Sequence, residues 1–186
     1  MSKKRQLLID TALALFYTNG INSIGINEIL SVSGVAKRTL YSHFSSKEAL
    51  VLAALQQRHE TFSYWLDQKL SGAKSDKEVI DELFSALASW FSSQEHALGK
   101  FRGCFFINTS AEFSDVNSEI ARFCGQHKKE VRDIIANHLQ SNDSALIDAI
   151  CLMKEGAIVT AHMSGNGQGV ANKCIQILHG IEGRTE

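Results

Sequence analysis

A chain of 186 residues with a formal charge of −1, 44% hydrophobic and 21% charged residues is composed like a globular protein and is long enough to bury a core. It has no proline, a residue that damages helix interiors but is tolerated in turns and edge strands, which tilts the expectation toward long helices. The absence of any run of about 18 apolar residues excludes a transmembrane helix, and the basic start Met1-Ser2-Lys3-Lys4-Arg5 leads into an amphipathic stretch with Asp10, unlike a secretory signal.

The charge is unevenly placed. Residues 1–50 carry Lys3, Lys4, Arg5, Lys37, Arg38 and Lys47 against Asp10, Glu28 and Glu48, a net +3, and the remainder carries −4. A basic head on an acidic body suits one end facing a polyanion. The four cysteines, Cys104, Cys124, Cys151 and Cys174, form no C-x-x-C pair. Without a secretion signal they read as reduced thiols of a cytoplasmic protein.

Helical periodicity dominates, and it predicts an all-α fold of about nine helices. The first helix is predicted over residues 4–19, with Leu8, Ala12, Leu15 and Phe16 on one face and Asn19-Gly20 as its stop. A short second helix spans 26–33 with Ile26, Ile29 and Leu30 inward; Ser33-Gly34 turns the chain, and a third short helix covers 36–43. Ser45-Ser46-Lys47-Glu48 reads as a capping box in which Ser45 accepts from the Glu48 backbone N–H, opening a long helix to about residue 70. Ser71-Gly72 breaks it, and Ser75-x-x-Glu78 is a second box opening a helix to about residue 92. Residues 94–102 read as a loop, followed by a short apolar helix over 103–113 and longer ones over 116–140, 144–163 and 168–181. The run from Gly165 to Gly169 is a helix-breaking turn; a phosphate loop would need a following Lys-Ser/Thr and a preceding strand.

The segment 26–44 has the physics of a helix-turn-helix, because Gly34 lets the chain reverse between two short helices. Leu40 and Phe44, one turn apart, pin the second of these to the core. That leaves Lys37, Arg38, Thr39, Tyr41, Ser42 and His43 on the other faces, a basic, hydroxyl and aromatic mixture suited to the DNA major groove. A solvated helical hairpin has the same pattern, and only context separates the two.

The letters supply that context. Residues 8–16, Gly20 and the run from Ser33 to Leu50 closely resemble the DNA-binding domain of the tetracycline-repressor (TetR) family. The core of the match is Gly-Val-x-Lys-x-Thr-Leu-Tyr-x-His-Phe-x-Ser-Lys-Glu, Gly34 to Glu48 here. The resemblance implies a helix-turn-helix DNA-binding domain over residues 1–48 and a helical ligand-binding and dimerisation domain over 49–186. It places the DNA-binding residues at Lys37, Arg38, Thr39, Tyr41, His43 and Lys47. Chemically, Arg38 suits a bidentate contact to guanine O6/N7, and Thr39 a base edge or thymine methyl. Lys37 suits bases or phosphate, and Tyr41 and His43 suit phosphates. Lys47 opens the fourth helix, where backbone N–H groups already favour an anion; a lysine there is poor for the helix dipole unless a phosphate lies near. A solvated charge is the plain alternative. Gly25 and Ala36 depart from the family pattern, each losing a hydroxyl that caps a helix and touches phosphate.

In the body, Leu146, Ile147, Ile150, Met153, Ala157, Ile158 and Ala161 make one apolar face, and Val170, Cys174, Ile177, Leu178 and Ile181 another. Gly156 and Ala157 would permit close approach. Either stripe suits a single-subunit core or a dimer bundle, and the two copies that a helix-turn-helix needs on a palindrome favour the dimer. The aromatic segment 101–113 carries Asn108 and Glu112 one turn apart, an arrangement fit for a small-molecule pocket and equally for core packing. Cys104, Asn108 and Glu112 are the candidate ligand contacts. Cys104 beside Arg102 also suits a redox or electrophile sensor, against a plain buried thiol. Cys124 and His127, at i and i+3, lack further metal ligands in view.

The partners expected are double-stranded operator DNA, a second copy of the chain and an unidentified small-molecule effector, with no membrane, metal or cofactor. A thiol-dependent enzyme built on Cys104 would leave the basic head unexplained, and an architectural DNA binder would leave the apolar body unexplained. The expectation is a repressor rather than an enzyme, although no residue excludes activation instead.

Overall fold

The computed structural model describes residues 2–182. Among the described residues are nine helices and no strand: α1 (Lys3–Asn19), α2 (Ile26–Ser33), α3 (Lys37–His43), α4 (Lys47–Leu70), α5 (Asp76–Phe91), α6 (Phe105–Glu112), α7 (Glu119–His138), α8 (Ser144–Ser164) and α9 (Gly167–Glu182). The all-α class is as expected from the sequence, and each helix lies within a few residues of its predicted place. No helix among the described residues is long and apolar enough to cross a membrane.

The boundaries that moved have local causes. Ser46, not Ser45, caps α4: its Oγ accepts from the Ala49 N–H at 3.2 Å, so the box sits one residue later than its letters suggest. The Glu48 carboxyl is held below the ordinary carboxylate range by its own backbone N–H and then by the Ser46 hydroxyl. The start of α7 is delayed because Asp115 accepts from the Asn117 N–H at 3.0 Å, holding a side-chain turn, and Ser118 then accepts from Ala121 at 3.2 Å. At α5 the expected Ser75 cap forms, and the reciprocal bond of the box falls one residue early, on Lys74 instead of Ser75. Ser75 Oγ accepts from the Glu78 N–H at 3.2 Å, and Glu78 accepts from the Lys74 N–H at 2.7 Å.

The described residues pack as two compact units, 2–60 with 105–127 and 61–104 with 128–182. In the first, Leu8, Ile9, Ala12 and Phe16 form the inner face of α1, and Leu15 is only half-buried. Ile21, Ile24, Ile29, Leu40 and Leu50 join them in the core. Each fully buried aliphatic side chain of this kind contributes about 1.5–3 kcal/mol. Gly34 takes the left-handed conformation (φ 66°) and donates its N–H to Leu30 at 2.9 Å, closing α2 and reversing the chain toward α3. From α6, Phe106 stacks on His127 with ring centroids 3.4 Å apart, and Phe105 meets Tyr17 edge-on at 5.9 Å.

In the second unit α5 packs against α8 and α9. Its aromatic core joins Phe62, Trp65, Trp90 and Phe101, with Trp90 and Phe101 centroids 4.9 Å apart. Glu95 sits beside it, accepting from Trp65 Nε1 at 2.8 Å and Ser89 Oγ at 2.7 Å and pairing with Lys69 at 2.9 Å. Leu146, Ile147, Ile150, Ala157, Ile158 and Ala161 are buried on α8, as are Ala171, Cys174 and Leu178 on α9. The α8 stripe, with Met153 half-buried, is thus core of one chain, whereas on α9 Ile177 and Ile181 of the expected stripe are exposed.

Candidate nucleic-acid interface

The interface is built on α3. Its short length leaves no room for two anchored faces, and Leu40 (0% exposed) with Phe44 (4%) fixes which side turns inward. At 100° per residue, Arg38 and Ser42 then lie one turn apart on the face opposite Leu40. Both are exposed, as are Lys37 and Tyr41, whereas Thr39 and His43 are half-buried. The Ser42 hydroxyl donates to the Thr39 carbonyl at 2.7 Å. Ser42 is not among the expected DNA contacts; its i+4 spacing from Arg38 is the signal that brings it to the same patch. No acidic side chain lies on α3, so its outward face is purely cationic and polar. Neither Gly25 at the start of α2 nor Ala36 at the start of α3 provides a side-chain cap, as their letters require.

Lys47 stands apart from the other five. Its Nζ donates to the Ile21 carbonyl at 2.6 Å and lies 5.9 Å from the Phe16 ring centroid. It therefore ties the start of α4 to the turn between α1 and α2. An ammonium has three donors, so two remain for other acceptors.

The three candidate ligand contacts fall in different surroundings. Cys104 is buried in the second unit, Asn108 is exposed on α6, and Glu112 is half-buried at the end of α6. Both Glu112 oxygens accept backbone hydrogen bonds, from Ile21 at 2.8 Å and Asn22 at 2.6 Å. Nothing in the local sequence signals this contact, since it spans about ninety residues of chain.

A cation that contacts Cys104 is Lys128, 24 residues away in the chain and out of reach of local sequence reasoning. Lys128 Nζ donates to Cys104 Sγ at 3.3 Å and pairs with Glu155 at 2.6 Å, and the buried Lys154 pairs with the same carboxylate. Burial pushes the Lys128 ammonium down, but Cys104 and Glu155 together outweigh it and hold its pKa above the ordinary lysine value. Burial likewise pushes Glu155 up, and Lys154 and Lys128 bring it below the ordinary carboxylate range. The Cys124–His127 pair gains no metal set: His127 Nδ1 instead meets His59 Nδ1 at 3.0 Å, and no group of three ligating side chains gathers among the described residues.

A second exposed surface lies on α8 and α9. Leu152, Gly156, Val159 and Met163 follow i, i+4, i+7 and i+11 along one side of α8, and all are exposed. Ile177 and Ile181 are exposed one turn apart on α9. Gly156 faces open space within its own chain. Sequence periodicity missed this stripe on α8 because the helix is apolar on its inner side as well.

A short helix anchored by one apolar face and presenting a cationic face beyond a glycine turn is the geometry of the helix-turn-helix class of DNA-binding protein. Comparison with known proteins agrees. Residues 8–54 match the bacterial regulatory proteins of the tetR family. The chain is 28% identical over 118 residues to the HTH-type transcriptional repressor ComR of Escherichia coli (strain K12), covering 63% of this chain and 54% of ComR. It thus spans about half the length of that relative. SCO4454, a TetR-family transcriptional regulator from Streptomyces coelicolor, superposes with a TM-score of 0.84 at 24% identity, covering 96% of this chain and 93% of its own. A cysteine mutant of the TetR family regulator CifR, complexed with a 26 bp double-strand operator DNA, superposes with a TM-score of 0.74 at 18% identity over 94% of both chains. The match to the tetR family of bacterial regulatory proteins thus spans residues 8–54, and the chain has the fold of solved TetR-family regulators.

Proposed function

We propose that the protein is a sequence-specific DNA-binding transcriptional regulator, a homodimeric repressor released from a palindromic operator by a small-molecule effector in the cytoplasm. Residues 1–48 read the DNA, and residues 49–186 form the effector-binding and dimerisation body. The observation that carries the reading is the exposed face of α3, with Arg38 and Ser42 opposite the buried Leu40. Arg38 reads guanine in the major groove, Thr39 and Lys37 adjoin it, and Tyr41, His43 and Lys47 hold backbone phosphates. The apolar stripe on α8 and α9 supports pairing of two copies, which places two readers on one duplex. The effector binds one arrangement of the dimer better than the other and shifts the population off DNA.

Footprinting on the DNA upstream of its own gene tests this. Wild type should protect a palindrome, and Arg38→Ala should lose about 1–3 kcal/mol and relax the preference at one base pair of each half-site. No protected palindrome, or equal protection by the variant, overturns the reading.

One observation favours a second form of the switch. An ammonium at 3.3 Å from Cys104 Sγ is the microenvironment in which thiols act as nucleophiles. In this form the effector is an oxidant or electrophile that modifies Cys104. DNA release by such a reagent that survives Cys104→Ser eliminates it.

A further inference from the structure

The turn between α1 and α2 is held from two sides by opposite charges. Ile21 is buried (1% exposed), so its backbone N–H and C=O must find partners inside the protein. Lys47, from α4, takes the carbonyl at 2.6 Å. Glu112, from α6, takes the N–H at 2.8 Å and that of Asn22 at 2.6 Å. These are charge-assisted hydrogen bonds, roughly twice as strong as neutral ones. Gly20 makes the space: it lies at φ 85°, and a Cβ there would sit 3.2 Å from Glu112 Oε1. Ser23 serves the same turn only locally, on the Asn19 and Gly20 carbonyls. The grip on the N–H groups therefore comes wholly from a residue about ninety positions away.

Glu112 shares a face of α6 with the buried Phe105 and Thr109, at i+7 and i+3 from them. Its reach is short. A withdrawal of α6 along these bonds by about 1.5 Å, one residue's rise, would take both beyond hydrogen-bonding distance. The turn leads directly into α2, and α2 leads through Gly34 into α3. The position of α6 is thus written onto the helix-turn-helix through one carboxylate.

We infer that Glu112 is a positioning residue for DNA binding, which with Lys47 clamps the α1–α2 turn and makes the placement of α3 depend on the placement of α6. The inference rests on the DNA-binding reading above. It also deepens that reading: Glu112 acts on the reader through the backbone of the turn, with no contact between Glu112 and DNA.

The test uses the full chain with Glu112→Gln, whose amide keeps one acceptor but turns an NH2 toward the second N–H. Hydrogen exchange at the Ile21 and Asn22 amides should be slow in wild type and faster by about fivefold or more in the variant at one or both sites, as expected when a hydrogen bond worth about one kcal/mol or more is lost. The exposed Asn22 has no other reason to be protected. Affinity is then measured for the footprinted operator and for the same DNA with one base pair inserted between half-sites. Wild type should prefer the native spacing, and Glu112→Gln should erode that preference by about fivefold or more, the lower end of ordinary coupling. The salt slope should stay unchanged. A variant that merely lowers the folded fraction weakens both DNAs alike and leaves their ratio intact. Should Glu112→Gln fold poorly, Glu112→Asp, which withdraws the charge by one methylene, must give the same two losses. Unprotected wild-type amides, or an unaltered spacing preference, overturn the inference. If wild type finds no operator, the DNA-binding reading fails and the exchange experiment alone decides the clamp.

Discussion

Two surfaces of this chain face outward, and their chemistry is opposite. On α3 the exposed groups are Lys37, Arg38, Tyr41 and Ser42; on α8 and α9 they are Leu152, Val159, Met163, Ile177 and Ile181. Water solvates the first set well, and a polyanion binds it by exchanging counterions for phosphates. The second set leaves apolar area in water at about 25 cal/mol per Å², a cost that a second apolar surface removes. The contrast shows that exposure alone names no function. The kind of exposed group decides the kind of partner, and the proposed function calls on both kinds.

The strongest way to break the comparison is to give the apolar surface the chemistry of water. Val159→Asp would bury an unpaired carboxylate between copies, at a cost of about 3–5 kcal/mol. Dimerisation should weaken by more than about a hundredfold, since about 1.4 kcal/mol is tenfold. Analytical ultracentrifugation at micromolar concentration should show monomer where wild type shows dimer, and operator affinity should fall with it. An unchanged sedimentation coefficient would mean that the stripe serves something other than a second copy. His162, exposed three positions on, is the internal control: His162→Asp should leave the dimer intact if the interface is confined to the stripe.

A second test asks whether the body's polar network is as rigid as its aromatic core. Burial pushes the Glu95 carboxyl up, but hydrogen bonds from Ser89, Lys69 and Trp65 outweigh it and hold its pKa below the ordinary carboxylate range. A carboxyl whose pKa is depressed on folding contributes stability above its unfolded value, near 4.3, and loses it as pH falls through the folded value. Glu95→Gln should lower the melting temperature at neutral pH by about 2–4 °C for each kcal/mol lost. The gap between variant and wild type should close as the pH falls below the ordinary carboxylate range. A gap independent of pH would assign the loss to packing.

The reader's own surface is sharpened by Lys47, which works on the turn and, as proposed, on DNA. With its phosphate contact removed, Lys47→Ala should bind all sequences more weakly, and the slope of log affinity against log salt should flatten by about one. If affinity falls while the slope holds, Lys47 acts on DNA only through the Ile21 carbonyl.

The two surfaces were unequally legible in the sequence. Helix order, the Gly34 turn and the inward Leu40 and Phe44 follow from periodicity and turn chemistry, which are local. Local reasoning reaches Arg38 for the same reason, because one anchored face fixes the other. It fails on α8, where apolar residues occur on both sides and the buried Ile150 and exposed Leu152 look alike as letters. It fails again at Glu112 and Lys128, whose partners lie on distant segments. A carboxylate's spacing along a helix says which face it shares, not which backbone turn will meet it.

The smallest effect concerns the letters at which the motif itself misleads. Ser45 and Ser46 precede α4 side by side, and either could cap it on paper. Only Ser46 accepts from the Ala49 N–H, at 3.2 Å, and Ser45 is exposed. Replacing the capping serine by alanine should cost about 1 kcal/mol, whereas Ser45→Ala should fall within about 0.5 kcal/mol of wild type, as surface substitutions do. Urea denaturation of the two single variants measures the difference as a shift in midpoint at constant slope. Lys47 and Glu48 open this helix, so a frayed first turn would loosen the Lys47 bond to Ile21 as well. Ser46→Ala should therefore speed exchange at the α1–α2 turn, and Ser45→Ala should not. Equal losses from both serines would mean that the cap alternates between them and that the start of α4 is less fixed than the reader built on it requires.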